Sequence, residues 1–170
     1  MIVHLIAACF CLGSSALFHL FFVQSEKISA ILSRLDYAGI SVMIAGSSYP
    51  PIYYAYACEP VIKERIGLMT LISVSCFICF TVTMMPKFDQ PKYRSCRGMM
   101  FVILGVSAGA PFSYFYIQKS TETGKFLLPG FDIGPWIYGG LMYILGAVLY
   151  VSRTPERFFP RKFDLVGSSH

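Results

Sequence analysis

Apolar residues run along the chain in five long blocks, at about 1–23, 37–57, 66–86, 99–118 and 133–152, separated by short polar connectors. Each block approaches the ~20 residues that an α-helix needs to cross a hydrocarbon core of ~30 Å. A bilayer offers no water to backbone amides and carbonyls, so a spanning segment must pair them internally, and blocks of this kind are predicted to be helices. The pattern predicts an all-α fold, a polytopic transmembrane helical bundle, with residues 1–170 forming one transmembrane domain. The competing reading of block 1–23 is a secretory signal peptide; no Lys or Arg precedes the run, and it exceeds the usual apolar region of such a peptide. Met1 leads straight into apolar sequence without a flanking segment, which leads us to expect a chain shortened at its start.

Composition agrees with this division. Hydrophobic residues make up 55% of the chain and charged residues only 14%, against roughly 25% charged in a soluble domain. The net charge of +5 could suggest an acidic partner, but the cations stand in connectors rather than on one amphipathic face, so no nucleic-acid partner is expected. They sort by alternate connectors instead. Lys27, Arg34, Lys87, Lys92, Arg94, Arg97, Arg153, Arg157, Arg161 and Lys162 fall on one side; Lys63, Arg65, Lys119 and Lys125 fall on the other. The positive-inside rule assigns the first group to the cytoplasm, with Met1 outside and the C-terminus inside.

Within the blocks, Pro50-Pro51 and Pro111 are expected to bend helices rather than to interrupt them, since neighbours in a bundle can re-satisfy the freed carbonyls. Gly105 and Gly109, with GxxxG spacing, and Gly139, Gly140 and Gly146 are expected at close helix contacts. Tyr53, Tyr54 and Tyr56, and Trp136 with Tyr138, suit an interfacial aromatic belt. Of the six cysteines (Cys9, Cys11, Cys58, Cys76, Cys79 and Cys96), the pair Cys76 and Cys79 has CxxC spacing but lies in mid-block, with no second pair to complete a zinc or redox motif. Buried structural thiols are the expectation.

An ionisable residue at membrane depth is costly, which makes each one a functional candidate. His4 is expected at the outer interface. His19 follows Ser15 by four residues, so the two share a helix face. Asp36 is expected to open the second span, where a carboxylate can cap the helix amides and still serve a site. His170 is the last residue and falls on the same side as His19 and Asp36. Two imidazoles and a carboxylate at one membrane level are a donor set that suits zinc, although the spacing alone equally allows hydrogen-bonded structural histidines.

Four strings occur in an order that resembles the progestin and adipoQ receptor family, and its adiponectin-receptor branch in particular. They are Ser15-x-x-x-His19, Gln24-Ser25-Glu26-Lys27, Leu35-Asp36-Tyr37-Ala38-Gly39-Ile40 and Pro155-Glu156-Arg157-Phe158-Phe159-Pro160. The resemblance covers essentially the whole chain; Arg161 stands where nearer relatives usually carry Gly after the last string. It implies a seven-helix membrane protein, of which this chain would supply helices two to six, and a zinc ion held near the cytoplasmic face by three histidines. His19 matches the first ligand and His170 the second, and the third would lie beyond His170. Asp36 matches the family carboxylate near the zinc and its water, and Ser15 matches the motif serine.

The resemblance further implies a receptor in the plasma membrane or an endomembrane, related to membrane-embedded zinc amidases that act on ceramide. Asp36 would then orient or deprotonate the attacking water, and Ser15 would support the site. The alternatives are a signalling receptor with structural zinc that answers an extracellular protein ligand at connectors 58–65 and 119–132, or a non-catalytic paralogue. A channel or transporter is disfavoured because no charged residue lies in mid-block and no inverted pair of broken helices is apparent. The isolated chain, with two of the three implied histidines, is expected to hold zinc weakly and not to turn over.

Overall fold

In a computed structural model the described residues, which are 1–56, 62–118, 134–155 and 157–158, without the side chains at 91, 111–118 and 136, are almost entirely helical. Helix α1 spans Ile2–Phe21, α2 Glu26–Ala55, α3 Ile62–Met84, α4 Arg94–Gln118 and α5 Gly134–Ser152. Two short 3-10 turns, Pro86–Asp89 and Pro91–Tyr93, join α3 to α4. By length and apolar composition α1, α2 and α3 can each cross a membrane, and α5 carries a shorter apolar run at Ile137–Ser152.

Helix α2 is the hub: it packs against α1, α3 and α4, while α5 leans on α4. Its 30 residues begin after the Ser25 N-cap, whose hydroxyl accepts the amide of Ile28 at 3.3 Å. Asp36 is therefore an interior residue of the helix, and the expectation that it caps the helix amides is corrected. The cap role goes to Ser25 because its backbone is extended, at φ −163° and ψ 154°, as the residue before the first helical turn must be. Pro50 and Pro51 both lie inside α2, which continues to Ala55. Each lacks the N–H that would have bonded four residues back, so the carbonyls of Gly46 and Ser47 lose their helical donors. Ser48 Oγ nearby donates to the Ile44 carbonyl at 2.6 Å.

Small residues set the helix spacing, which is what membrane bundles require when hydrophobic exclusion no longer drives the helices together. A Cβ at Gly46 would lie 2.3 Å from the Cβ of Ala7, and one at Gly39 would lie 2.9 Å from Ser14 Oγ and 3.2 Å from the Cα of Cys11. On α4, a Cβ at Gly98 would meet Val151 of α5 at 2.5 Å, and one at Gly105 would meet the Tyr143 ring at 3.1 Å. The expectation of close packing thus holds at Gly105 but not at Gly139, Gly140 or Gly146, where a Cβ would find no atom within 4 Å. Gly139 and Gly140 border open space between α5 and its neighbours instead. The sequence pattern found the right helix without finding its contacts.

The interior is small. One cluster joins Ala45, Ile52, Ala55 and Tyr56 of the α2 region to Ile72 of α3 and Ala108 of α4. A second gathers Cys79, Phe101 and Leu104. Many large apolar side chains point outward, among them Leu12, Leu20, Phe77, Ile103 and Met142. Such a surface is unfavourable in water and normal against lipid. Cys79 is buried, and Cys76 donates its thiol to the Ser41 carbonyl at 3.2 Å, so both behave as packed, unpaired thiols. Helix α5 closes with Arg153 in the left-handed region at φ 53°, and the amide of Thr154 returns to the Leu149 carbonyl at 3.2 Å. That bond is the 6→1 closure of a Schellman helix end.

Candidate functional site

Helices α1 and α2 form an antiparallel hairpin, and its contacts fix the levels of the candidate residues. Ala7 opposes Gly46, and Cys11 with Ser14 opposes Gly39. At a rise of about 1.5 Å per residue, these contacts put Asp36 at about the level of Ser15 to Leu17, so that His19 lies about 3–6 Å, at most about one turn, nearer the connector. The structure therefore brings Ser15, His19 and Asp36 to one end of the hairpin, with Asp36 deeper than His19. His19 is exposed at the helix end, with its ring against that of Phe18 at 5.2 Å, and Ser15 is half-buried beside the interface. Asp36 is half-buried, one helical turn from Gly39, where α1 meets α2 through Cys11 and Ser14.

His170 lies outside the described residues. Among the described residues no three His, Cys, Asp or Glu side chains converge as a metal site would require. The donor types present, an imidazole and a carboxylate at one end of the hairpin, are among those zinc accepts.

Behind Asp36 lies a group of residues that the connector counting did not single out. Arg97 is 6% exposed, inside α4 rather than in a connector. Its guanidinium sits over the ring of Tyr37 at 4.9 Å from the centroid, and its Nη1 donates to the carbonyls of Phe88 and Gln90. Arg94, at the first position of α4, stacks on Tyr150 at 4.2 Å and donates from Nε to the Tyr150 carbonyl at 3.1 Å. Tyr150 Oη in turn donates to Tyr37 Oη at 3.3 Å. Arg34 reaches the connector from α2, with Nη1 donating to the Met84 carbonyl at 3.3 Å and Nε 3.7 Å from Asp89 Oδ2. In the sequence nothing sets Arg97 apart from the other cations that border the apolar blocks.

Farther along α2, beyond Ile44, a cavity of about 600 Å³ opens between α2, α4 and α5. Its walls are mostly apolar, from Ile44, Val106, Ile137, Leu141 and Ile144, with Tyr143, Ser47 and Ser48 as polar points.

The helices and the outward apolar surface define a multi-pass integral membrane protein, a helical bundle with Ser15, His19 and Asp36 near one end of its α1–α2 hairpin. The haemolysin-III-related family model matches residues 1–170, so the chain belongs to that family. It is 38% identical over 164 residues to heptahelical transmembrane protein 4 of Arabidopsis thaliana, covering 96% of this chain and 41% of that protein. It is 34% identical to the adiponectin receptor protein of Drosophila melanogaster, covering 97% of this chain and 36% of the relative. Progestin and adipoQ receptor-like protein 1 of Caenorhabditis elegans is also 34% identical, with 96% and 36% covered. The expected adiponectin-receptor-like kinship is thereby shown, and the chain spans about two fifths of the length of these relatives.

Proposed function

We propose that the protein works as an adiponectin-receptor-like membrane receptor with a zinc site at the cytoplasmic end of the α1–α2 hairpin, and that this site hydrolyses a lipid amide of the ceramide class. The observation that carries the reading is the placement of Asp36. It is a carboxylate in the interior of a helix long and apolar enough to cross a membrane, near the level of Ser15 and within about one turn of His19. Zinc would be held by His19 and His170, and when bound it supplies Lewis acidity and a water whose pKa falls from about 15.7 to about 7. Asp36 would hold that water through its carboxylate oxygens and accept its proton, the general-base role. Ser15, with its hydroxyl at the same level, would donate a hydrogen bond that keeps the carboxylate or the ring of His19 in place. The apolar cavity deeper between α2, α4 and α5 has the chemistry to take an acyl chain.

The exposure of His19 at the connector end of the hairpin favours a second reading, in which zinc is structural and the protein only transmits a signal. The two readings separate in the intact gene product purified in detergent. In the hydrolase, Asp36→Asn keeps zinc, measured by elemental analysis, and loses about 100-fold or more in ceramide turnover, the scale of a lost general base. Unchanged turnover in Asp36→Asn would overturn the role given to Asp36, and zinc content indifferent to His19→Ala would overturn the metal site.

A further inference from the structure

Arg97 is a costly residue for the place it occupies. It is buried at 6% exposure near the end of a membrane bundle, its Nε has no hydrogen-bond partner, and the ion pair found among the described residues, Arg34 with Asp89, does not include it. A buried cation without a carboxylate is destabilising unless the surrounding contacts offset the desolvation. The contacts Arg97 does make converge on two things, the connector between α3 and α4, through the carbonyls of Phe88 and Gln90, and the ring of Tyr37.

Tyr37 follows Asp36 directly, and the helical turn puts the two side chains about 100° apart. Gly39 lies about 60° from Asp36 on its other flank, and there α1 presses in with Ser14 and Cys11. Tyr37 is held by Arg97 of α4 and Tyr150 of α5, and Tyr150 is itself fixed by Arg94. The segment 36–39 of α2 is therefore gripped by α1, α4 and α5, and Asp36 occupies the sector between the grip of α1 and the grip on Tyr37. Rotation of α2 about its axis would move the carboxylate sideways relative to His19 and Ser15. The aromatic face under Arg97 opposes that rotation, because a cation over a desolvated tyrosine ring is held with an energy that falls away as the ring turns.

From this geometry we infer that Arg97 is a positioning residue for Asp36, acting through the ring of Tyr37, so that the α3–α4 connector and the candidate site are mechanically linked. The inference concerns the setting of Asp36 and rests on the proposed site only for its functional consequence.

The test uses the intact gene product and two readouts, one of which does not depend on hydrolysis. In the first, Asp36→Cys is combined with the native Cys11, and the yield of a short bis-thiol crosslink between the two is measured with Arg97 intact, with Arg97→Met and with Arg97→Lys. Positioning through Tyr37 predicts about a threefold or larger change in yield for Arg97→Met and a smaller one for Arg97→Lys, which keeps the cation but not the planar fork of donors. Tyr37→Leu should reproduce the change, and adding Arg97→Met to it should do little more, since coupled residues are not additive. Should Arg97→Met fail to fold, Tyr37→Leu and Tyr150→Phe carry the same measurement. The second readout is ceramide turnover, where Arg97→Met should lower kcat about tenfold or more with KM within about a factor of two, and Arg97→Lys should recover part of it. An unchanged crosslink yield in folded Arg97→Met or Tyr37→Leu protein overturns the inference. Absence of turnover in the unsubstituted protein counts against the proposed hydrolase alone, since the crosslink still reports the setting of residue 36.

Discussion

At the scale of single residues, the same amino acid has opposite roles on two helices. Gly46 faces Ala7 so closely that a methyl group at 2.3 Å must displace α1, while Gly140 has open space around it. Gly46→Ala should lower the stability of the protein by about 1–3 kcal/mol, the usual cost of overpacking. Gly140→Ala should leave it unchanged or raise it by up to about 1 kcal/mol, the helix-propensity gain of Ala over Gly. Thermal unfolding in detergent, run on both variants side by side, checks the contrast. The sequence carries both glycines in apolar blocks with equal prominence; which of them meets a neighbour is decided by helix rotation, a long-range property. The site residues show the same division. Ser15, His19 and Asp36 could be selected from spacing and from the cost of charge in a membrane. Arg97 could not, because a cation at the edge of an apolar block looks like any other topological charge until its burial is known.

At the scale of elements, α2 carries most of the architecture. Its first turns lie before the apolar block proper, in Glu26-Lys27-Ile28-Ser29, where polar residues hide a helix from any reading based on hydropathy. The physical start signal is Ser25, whose hydroxyl meets the Ile28 amide. Ser25→Ala should cost about 1 kcal/mol of local stability. The effect should appear as faster amide hydrogen exchange in residues 26–29, with little change around Gly39 and Gly46, where α1 covers the helix. The early start also changes the meaning of Asp36. As a cap it would have had the helix amides for partners; well inside the helix it has none of them, and it lies beside the face on which Gly39 meets α1. That shift from a satisfied cap to a half-buried interior carboxylate is what gives it chemical interest.

At the scale of the whole molecule, the bundle turns large apolar side chains outward and collects basic residues at the connector end, with Lys87, Lys92, Arg153 and Arg157 exposed there. The expectation from the positive-inside rule is that this end faces the cytoplasm. Cys96, exposed in the first turn of α4, is a native reporter of that orientation. A membrane-impermeant maleimide should label Cys96 in inside-out vesicles and not in sealed right-side-out ones, with Cys96→Ser as the control. Labelling in right-side-out vesicles would reverse the assigned orientation and with it the side on which His19 and Asp36 stand.

The sequence by itself determined the solvent, the helical class and the family, because these depend on local quantities: block length against bilayer thickness, backbone pairing within a segment, and short strings such as Leu35-Asp36-Tyr37-Ala38-Gly39-Ile40. It also placed Ser15 and His19 on one face, since four residues is nearly a full helical turn. Only the tertiary structure decided which glycines are contacts, that Asp36 is interior rather than terminal, and that Arg97 and Tyr37 meet. These depend on how far each helix is rotated and slid against its neighbours. In a membrane that setting comes from close packing of small residues and from polar contacts between helices distant in sequence, and hydropathy is nearly blind to both.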